Sequence, residues 1–334
     1  MSLALEILIT AALVVAAGVA LARFGDDIGL HLGIGRLWIG SVLIAGATSL
    51  PELTTDVAAV RIGAVDLAAG DLIGSSMANM FILALLDLHP RMQVLRRAAL
   101  DHALSAALAI MLTAIAALFL LVQFDVRWGR IGFGSLLLLG LYLLGARAVF
   151  THTARIAAAE RAATGGSTQR AIPWRLLLRA VLGFVAAAAV IVLAAPRFAH
   201  AANELAKVSG LGETFVGTTL VALSTSLPEL VASITAIRIK AFDLAVANLF
   251  GSNALNMAMF IALDLANDTG PLFAVVSPSH TLSALVATAM MATGIAAIVL
   301  RARRRFAIEE PSSALMVLLY GAGLWILQRA TTPS

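Results

Sequence analysis

One segment of this chain occurs twice, and that duplication constrains the fold more than any other feature. Residues 33–88 align onto 210–265 at a constant offset of 177, without a gap, with 26 identities in 56 positions. Residues 45–53 read AGATSLPEL and 222–230 read ALSTSLPEL. Each Glu is followed 22 residues later by a Gly-Ser pair, in GSSMANM from Gly74 and in GSNALNM from Gly251. The shared positions include Thr48/Thr225, Ser49/Ser226, Glu52/Glu229, Ser75/Ser252 and Asn79/Asn256, all in strongly apolar surroundings. Polar residues repeated inside apolar runs point to a pathway through a membrane.

Composition supports membrane placement. Hydrophobic residues make up 60% of the 334 and charged residues 13%, with a mean hydropathy of +0.96; a soluble domain carries about 25% charged residues. Ten apolar runs are read as helices long enough to cross a bilayer: 3–23, 32–60, 64–88, 98–122, 131–150, 173–196, 205–237, 241–265, 274–300 and 313–328. The second and seventh are long enough to tilt or to hold an irregular stretch. No basic region precedes the first run, which is therefore read as a true span and not a cleaved signal. The absence of cysteine excludes disulfides and thiolate metal sites.

The sequence pI near 10.3 is mostly an orientation signal. Loops after the odd-numbered spans hold 17 of the 23 Lys and Arg. The positive-inside bias puts those loops in the cytoplasm and both termini outside. Contact with anionic membrane lipid is a secondary reading of the same charges. Four Arg between 301 and 305 are read as orientation charges, so no nucleic-acid partner is expected.

The two copies are five spans apart. Five is odd, so the second copy enters the membrane from the opposite side. The expected fold class is an all-α polytopic membrane protein: ten transmembrane helices as two inverted five-helix repeats. Such repeats place substrate near the bilayer midplane, where discontinuous helices from the two halves meet. The first half is read as 1–150, with its motif at 33–88, and the second as 173–334, with its motif at 210–265. Between them lies a polar cytoplasmic linker, 151–172, containing Thr-Gly-Gly-Ser-Thr.

Within each copy a proline interrupts a span. Pro51 and Pro228 each remove a backbone donor and clash with the carbonyl four residues back, so the helix kinks or breaks. Freed carbonyls and adjacent hydroxyls are hard oxygen ligands of the kind sodium and calcium prefer, and Glu52 and Glu229 add negative charge. Ser75 and Asn79, four apart, share a helical face, as do Ser252 and Asn256. A set with no His or Cys argues against zinc or copper. Blander readings stand beside this one: a Glu paired with a buried Arg, a proline that only kinks, Ser/Asn pairs as interhelical glue, and Gly70–Gly74 as a packing stripe. Asp66 and Asp243, near span ends, are read as caps or interfacial charges, and Asp87 and Asp264 as interfacial charges. The six His show no paired spacing.

At these motifs the chain resembles the sodium/calcium exchanger branch of the calcium/cation antiporter superfamily, whose two alpha repeats match TSLPEL with GSSMANM and TSLPEL with GSNALNM. The resemblance implies a core of broken helices 2, 3, 7 and 8, with spans 1 and 6 sliding against it. It implies cation ligands at Thr48, Ser49, Glu52, Ser75 and Asn79, and at Thr225, Ser226, Glu229, Ser252 and Asn256, joined by the carbonyls of Ala45 and Ala222. Asp71 stands where the family often has Asn, and the second copy keeps Asn248. Asp56 adds a carboxyl one turn after Glu52, where the second copy has Ser233.

The expected function is secondary antiport of sodium, or protons, against calcium by alternating access, with inorganic cations as the only partners besides lipid. No cofactor and no obligatory protein partner are expected, and the prokaryotic inner (plasma) membrane is the expected location. Asp71 is counted with the metal-site candidates, and Asp71 or Asp56 offers the alternative of a proton-coupled exchanger. A non-transporting scaffold or an intramembrane enzyme is the remote alternative: no nucleophile–base pair, HExxH or phosphate loop is present.

Overall fold

The computed structural model describes residues 3–33, 35–90, 92–129, 131–163, 174–208, 225–300 and 311–331. These residues are nearly all helical. In chain order the helices are α1 (Leu3–Leu32), α2 (Arg36–Thr48), α3 (Leu50–Arg61), α4 (Val65–Leu88), α5 (Val94–Arg97) and α6 (His102–Val122). They continue as α7 (Phe133–Ala163), α8 (Trp174–Val208), α9 (Leu227–Arg238), α10 (Phe242–Ala266), α11 (Leu272–Val275), α12 (His280–Leu300) and α13 (Pro311–Thr331). A two-residue antiparallel ladder, β1 (Arg127–Trp128) with β2 (Ile131–Gly132), joins α6 to α7. Among the described residues eight helices are long and apolar enough to span a membrane, or nine if the bent pair α2–α3 is one span.

Burial separates an inner layer from an outer one. In α10, 89% of the central stretch is buried, and in α4 72%, against 22% for α1 and 17% for α8. Phe250, Phe260, Leu72, Ile73, Met80 and Leu83 fill the inner layer. Leu8, Leu144, Leu193 and Leu318 stand on the outside, two-thirds exposed, as expected of helices solvated by lipid tails.

Pro51 and Pro228 act where the sequence placed them. α2 and α3 meet at Ser49 (φ −90°, ψ 1°) with a 43° bend, and α3 opens on Leu50-Pro51-Glu52. α9 opens identically after Ser226 (φ −83°, ψ 8°) on Leu227-Pro228-Glu229. Proline suits a first helical turn, where its missing N–H has no intrahelical acceptor. The predicted irregularity of the second span is also present in a second form: Ile39–Ile44 of α2 is π-helical. Gly251 lets this segment approach α10 closely, because a Cβ there would lie 2.4 Å from the Ser41 Cα and carbonyl oxygen. The π turn therefore lies directly on the α10 backbone. Gly70 instead faces the His280 ring, and Gly74 has no described atom at that range.

Four expectations are corrected. The third and eighth spans are not broken: α4 and α10 run unbroken through their Gly-Ser motifs, because neither contains proline and isolated Gly alone does not end a helix. The first span continues to Leu32, since Asp26 pairs with Arg36 at 2.7 Å and is not left as a bare charge. α7 runs to Ala163, through the first part of the segment read as linker; Ala157, Ala158 and Ala159 favour helix, and residues 164–172 lie outside the described residues. Asp87 and Asp264 are almost fully buried caps, not interfacial charges. Asp87 accepts from the Leu95 N–H and Asp264 from the Leu272 N–H, both at 2.8 Å. These two bonds are again 177 residues apart, so the likeness of the halves continues past residue 88.

Histidine pairing was not legible from spacing. His102 Nε2 lies 2.9 Å from Asp243, and His280 Nε2 lies 3.3 Å from Asp66. Backbone donors accompany each pair, Ala99 N–H to Asp243 and Ser277 N–H to Asp66. Each contact joins the first half of the chain to the second, and the arrangement is reciprocal.

Candidate functional site

The two helix breaks and the middles of α4 and α10 converge on one buried polar cluster. Thr48, Ser49, Glu52, Ser75, Asn79, Thr225, Ser226, Glu229, Ser252 and Asn256 are each at most 3% exposed. Asp71 is partly exposed, although its Oδ2 is out of solvent. Ala45 is buried at the end of the π turn, and its carbonyl accepts the Ser49 N–H at 3.0 Å and the Thr48 hydroxyl at 3.3 Å. Ala222 lies outside the described residues.

Bonds between the copies hold the cluster together. The Ser49 hydroxyl donates to Glu229 Oε1 at 3.1 Å, and Thr48 and Ser252 lie beside the same carboxyl. The Ser-x-x-Glu pattern of residues 49–52 is that of a capping box, yet Ser49 makes no cap bond to its own helix. Its hydroxyl is given to the other copy. Glu52 sits within electrostatic reach of Glu229, Asp71 and Asp56.

The amides serve two purposes at once. Asn79 Nδ2 donates to Asn253 Oδ1 at 3.0 Å, Asn253 Nδ2 to the Ser76 carbonyl, and Asn256 Nδ2 to the Leu72 carbonyl, the last two at 3.3 Å. The NH2 groups thus tie α4 to α10, while Oδ1 of Asn79 and of Asn256 keeps no partner. Interhelical glue and ligand are not alternatives at these residues. Asn253, which the sequence analysis did not single out, is the centre of this tie; its signal is the GSN triplet against Ser75–Ser76.

Seven buried oxygens in the cluster, and two beside it, lack hydrogen-bond partners: Glu52 Oε2, Ser75 Oγ, Asn79 Oδ1, Ser226 Oγ, Glu229 Oε2, Ser252 Oγ and Asn256 Oδ1 within it, and Asp56 Oδ2 and Asp71 Oδ2 toward the α3–α4 turn. Buried polar atoms are ordinarily satisfied, and an uncompensated buried carboxylate is costly. All nine are hard oxygen donors, the chemistry of alkali and alkaline-earth cations. Among the described residues no three acidic or histidine side chains are grouped closely enough to chelate an ion by themselves. Any cation held here must use the neutral hydroxyls and amides as well. Such a mixed set suits an ion that is bound and then released, and it lacks the nitrogen and sulfur that zinc or copper favours.

The sodium/calcium exchanger protein family matches the chain over residues 2–150 and 179–328. The inner membrane protein YrbG of Escherichia coli is 30% identical over 236 residues, 69% of each chain. The putative antiporter CaxA of Alkalimonas amylolytica is 28% identical over 235 residues, 70% of each. The sodium/calcium exchanger MaX1 of Methanosarcina acetivorans is 37% identical over 83 residues, 25% of this chain and 24% of its own. Among solved structures, the sodium-calcium exchanger NCX_Mj soaked with 10 mM Na+ and zero Ca2+ matches with a TM-score of 0.72 at 19% identity, covering 98% of both chains. That likeness is one of fold.

Proposed function

The chain belongs to the sodium/calcium exchanger family of integral membrane cation antiporters, and from that membership we propose that it exchanges sodium for calcium at one site shared by its two copies. The observation that carries this reading is the bond from Ser49 of one copy to Glu229 of the other, amid buried oxygens without partners. In the proposal Glu52 and Glu229 together neutralise one calcium ion. Ser75, Asn79, Thr225, Ser226, Ser252 and Asn256, with Thr48, Ser49 and main-chain carbonyls at Ala45 and Ala222, replace its hydration shell. Sodium ions use the same oxygens, so the two cargoes compete. An occupied site permits the inward–outward switch, whereas two bare carboxylates in the membrane resist it.

We place this site between two inverted five-span halves, 1–150 and 173–334, joined by 151–172. The reciprocal Asp66–His280 and Asp243–His102 contacts support that plan. α1 and α8, two outer helices packed on each other, slide against the core formed by α2–α4, α9 and α10. Both termini face outward, in a prokaryotic inner membrane. If net charge moves, membrane potential contributes about 2.3 kcal/mol per charge per 100 mV.

Reconstitution in proteoliposomes tests the proposal. Calcium uptake is measured under an outward sodium gradient, a pH gradient, and neither; sodium-driven uptake is expected. One observation favours a second reading, proton coupling: the carboxyls of Asp56 and Asp71 are neighbours close enough to interact. Uptake driven by the pH gradient and indifferent to sodium selects it.

A further inference from the structure

We propose that Asp56 and Asp71 form a separate calcium-holding subsite on one side only, between the shared site and the membrane face that carries the α3–α4 turn. The inference rests on the exchange reading of the shared site and adds a one-sided approach to it. Asp56 follows Glu52 by four residues on α3, and Asp71 precedes Ser75 by four on α4. Both are therefore displaced by about 6 Å from the shared cluster, and both toward the same turn at residues 62–64.

Their two carboxyls are neighbours close enough to interact. Asp56 is 1% exposed. Its Oδ2 and that of Asp71 have no partner, and among the described residues no Arg, Lys or His is within ion-pairing distance of either. Two neighbouring carboxyl groups at this depth cannot both stay ionised unless a cation lies between them; otherwise they share a proton. The second copy provides the comparison within the same molecule. Ser233 and Asn248 occupy the matching positions, and Asn248 Nδ2 donates to Ser233 Oγ at 3.3 Å. There the place is neutral and closed by its own hydrogen bond. A calcium ion coming from the α3–α4 turn meets two carboxyls before it reaches Glu52. One coming along α9 and α10 meets none at the matching position. Oxygen chemistry with two carboxylates fits a divalent cation, and partial exposure of Asp71 leaves the pair reachable.

The test copies the second half into the first, by Asp56→Ser with Asp71→Asn. The chain has no cysteine, so Ile62→Cys, in the turn and 83% exposed, reports by impermeant-maleimide labelling which face of a proteoliposome carries the turn. Half-saturating calcium is measured at each face with and without the double substitution. Loss of a local negative potential is expected to raise it at the turn's face relative to the other, moving the ratio of the two values about tenfold. An unchanged ratio, whether both values move alike or neither moves, overturns the subsite and leaves a carboxyl pair bridged by a shared proton. Should the double variant fail to assemble, Asp56→Asn alone gives the same readout. A wild-type chain that carries calcium by sodium exchange while the ratio stays fixed sinks only the subsite; a wild-type chain that carries no calcium sinks the exchange reading with it.

Discussion

The Ser49 hydroxyl donates to Glu229 across 180 residues of sequence, at 3.1 Å, with both side chains almost fully buried. The bond orients one of the two central carboxylates from the opposite copy. Hydrogen bonds to charged groups contribute about 1.5–3 kcal/mol. Ser49→Ala should therefore raise half-saturating calcium about ten- to a hundredfold, and Ser49→Thr, which keeps the hydroxyl, should recover most of the loss. Flux measured in proteoliposomes decides it; equal defects in the two variants would assign Ser49 a packing role.

Pro51→Ala should separate stability from function. The substitution restores an N–H toward the Ala47 carbonyl and lets α2 continue straight into α3, removing the 43° bend. Thermal stability in detergent should hold or rise, while misaligned ligands weaken cation affinity about tenfold or more. A variant that loses stability but keeps its affinity would show the break to be structural only.

How much of this was legible beforehand depends on what carries each signal. Pro51 and Pro228 act through their own covalent structure, so the breaks could be read from single residues, and the cluster followed from the repeat. The π turn at Ile39–Ile44 has no residue type of its own, and its close approach to α10 requires Gly251, more than 200 residues away, which becomes apparent only when the two backbones are seen in contact. The expectation of broken third and eighth spans came from the resemblance, and the proline-free runs of α4 and α10 overrule it. His102 and His280 escaped because the repeat offset slips from 177 to 178 between Leu272 and Ser277, which hides their equivalence.

Gly251→Ala should damage both stability and transport. The added methyl would fall 2.4 Å from main-chain atoms of Ser41, which cannot rotate away. Overpacking of this kind costs about 1–3 kcal/mol, and α2 can relieve it only by shifting the segment that leads to Thr48 and Ser49. Gly140→Ala, where no described atom lies within 4 Å, is the control. Melting temperature and calcium half-saturation should both change in the first variant and in neither sense in the second.

Asp264→Ala should lower stability without changing which cation is bound. Asp264 accepts from the Gly132 and Leu272 N–H groups at 2.5 and 2.8 Å, at the end of α10 and away from the shared cluster. Leaving two buried donors unsatisfied costs about 1–3 kcal/mol each. A drop in melting temperature with sodium–calcium competition unaltered is the expected pattern; altered competition would tie this cap to the site.

The central claim is that the two copies build one site between them. Equilibrium calcium binding to the purified protein, with Glu52→Gln and Glu229→Gln measured separately, tests it most directly. A shared site predicts that either replacement alone abolishes the binding that sodium displaces, while each variant still assembles as a folded protein. Retention of about half the sodium-displaceable calcium in each single variant would mean one independent site per copy, and would contradict the account.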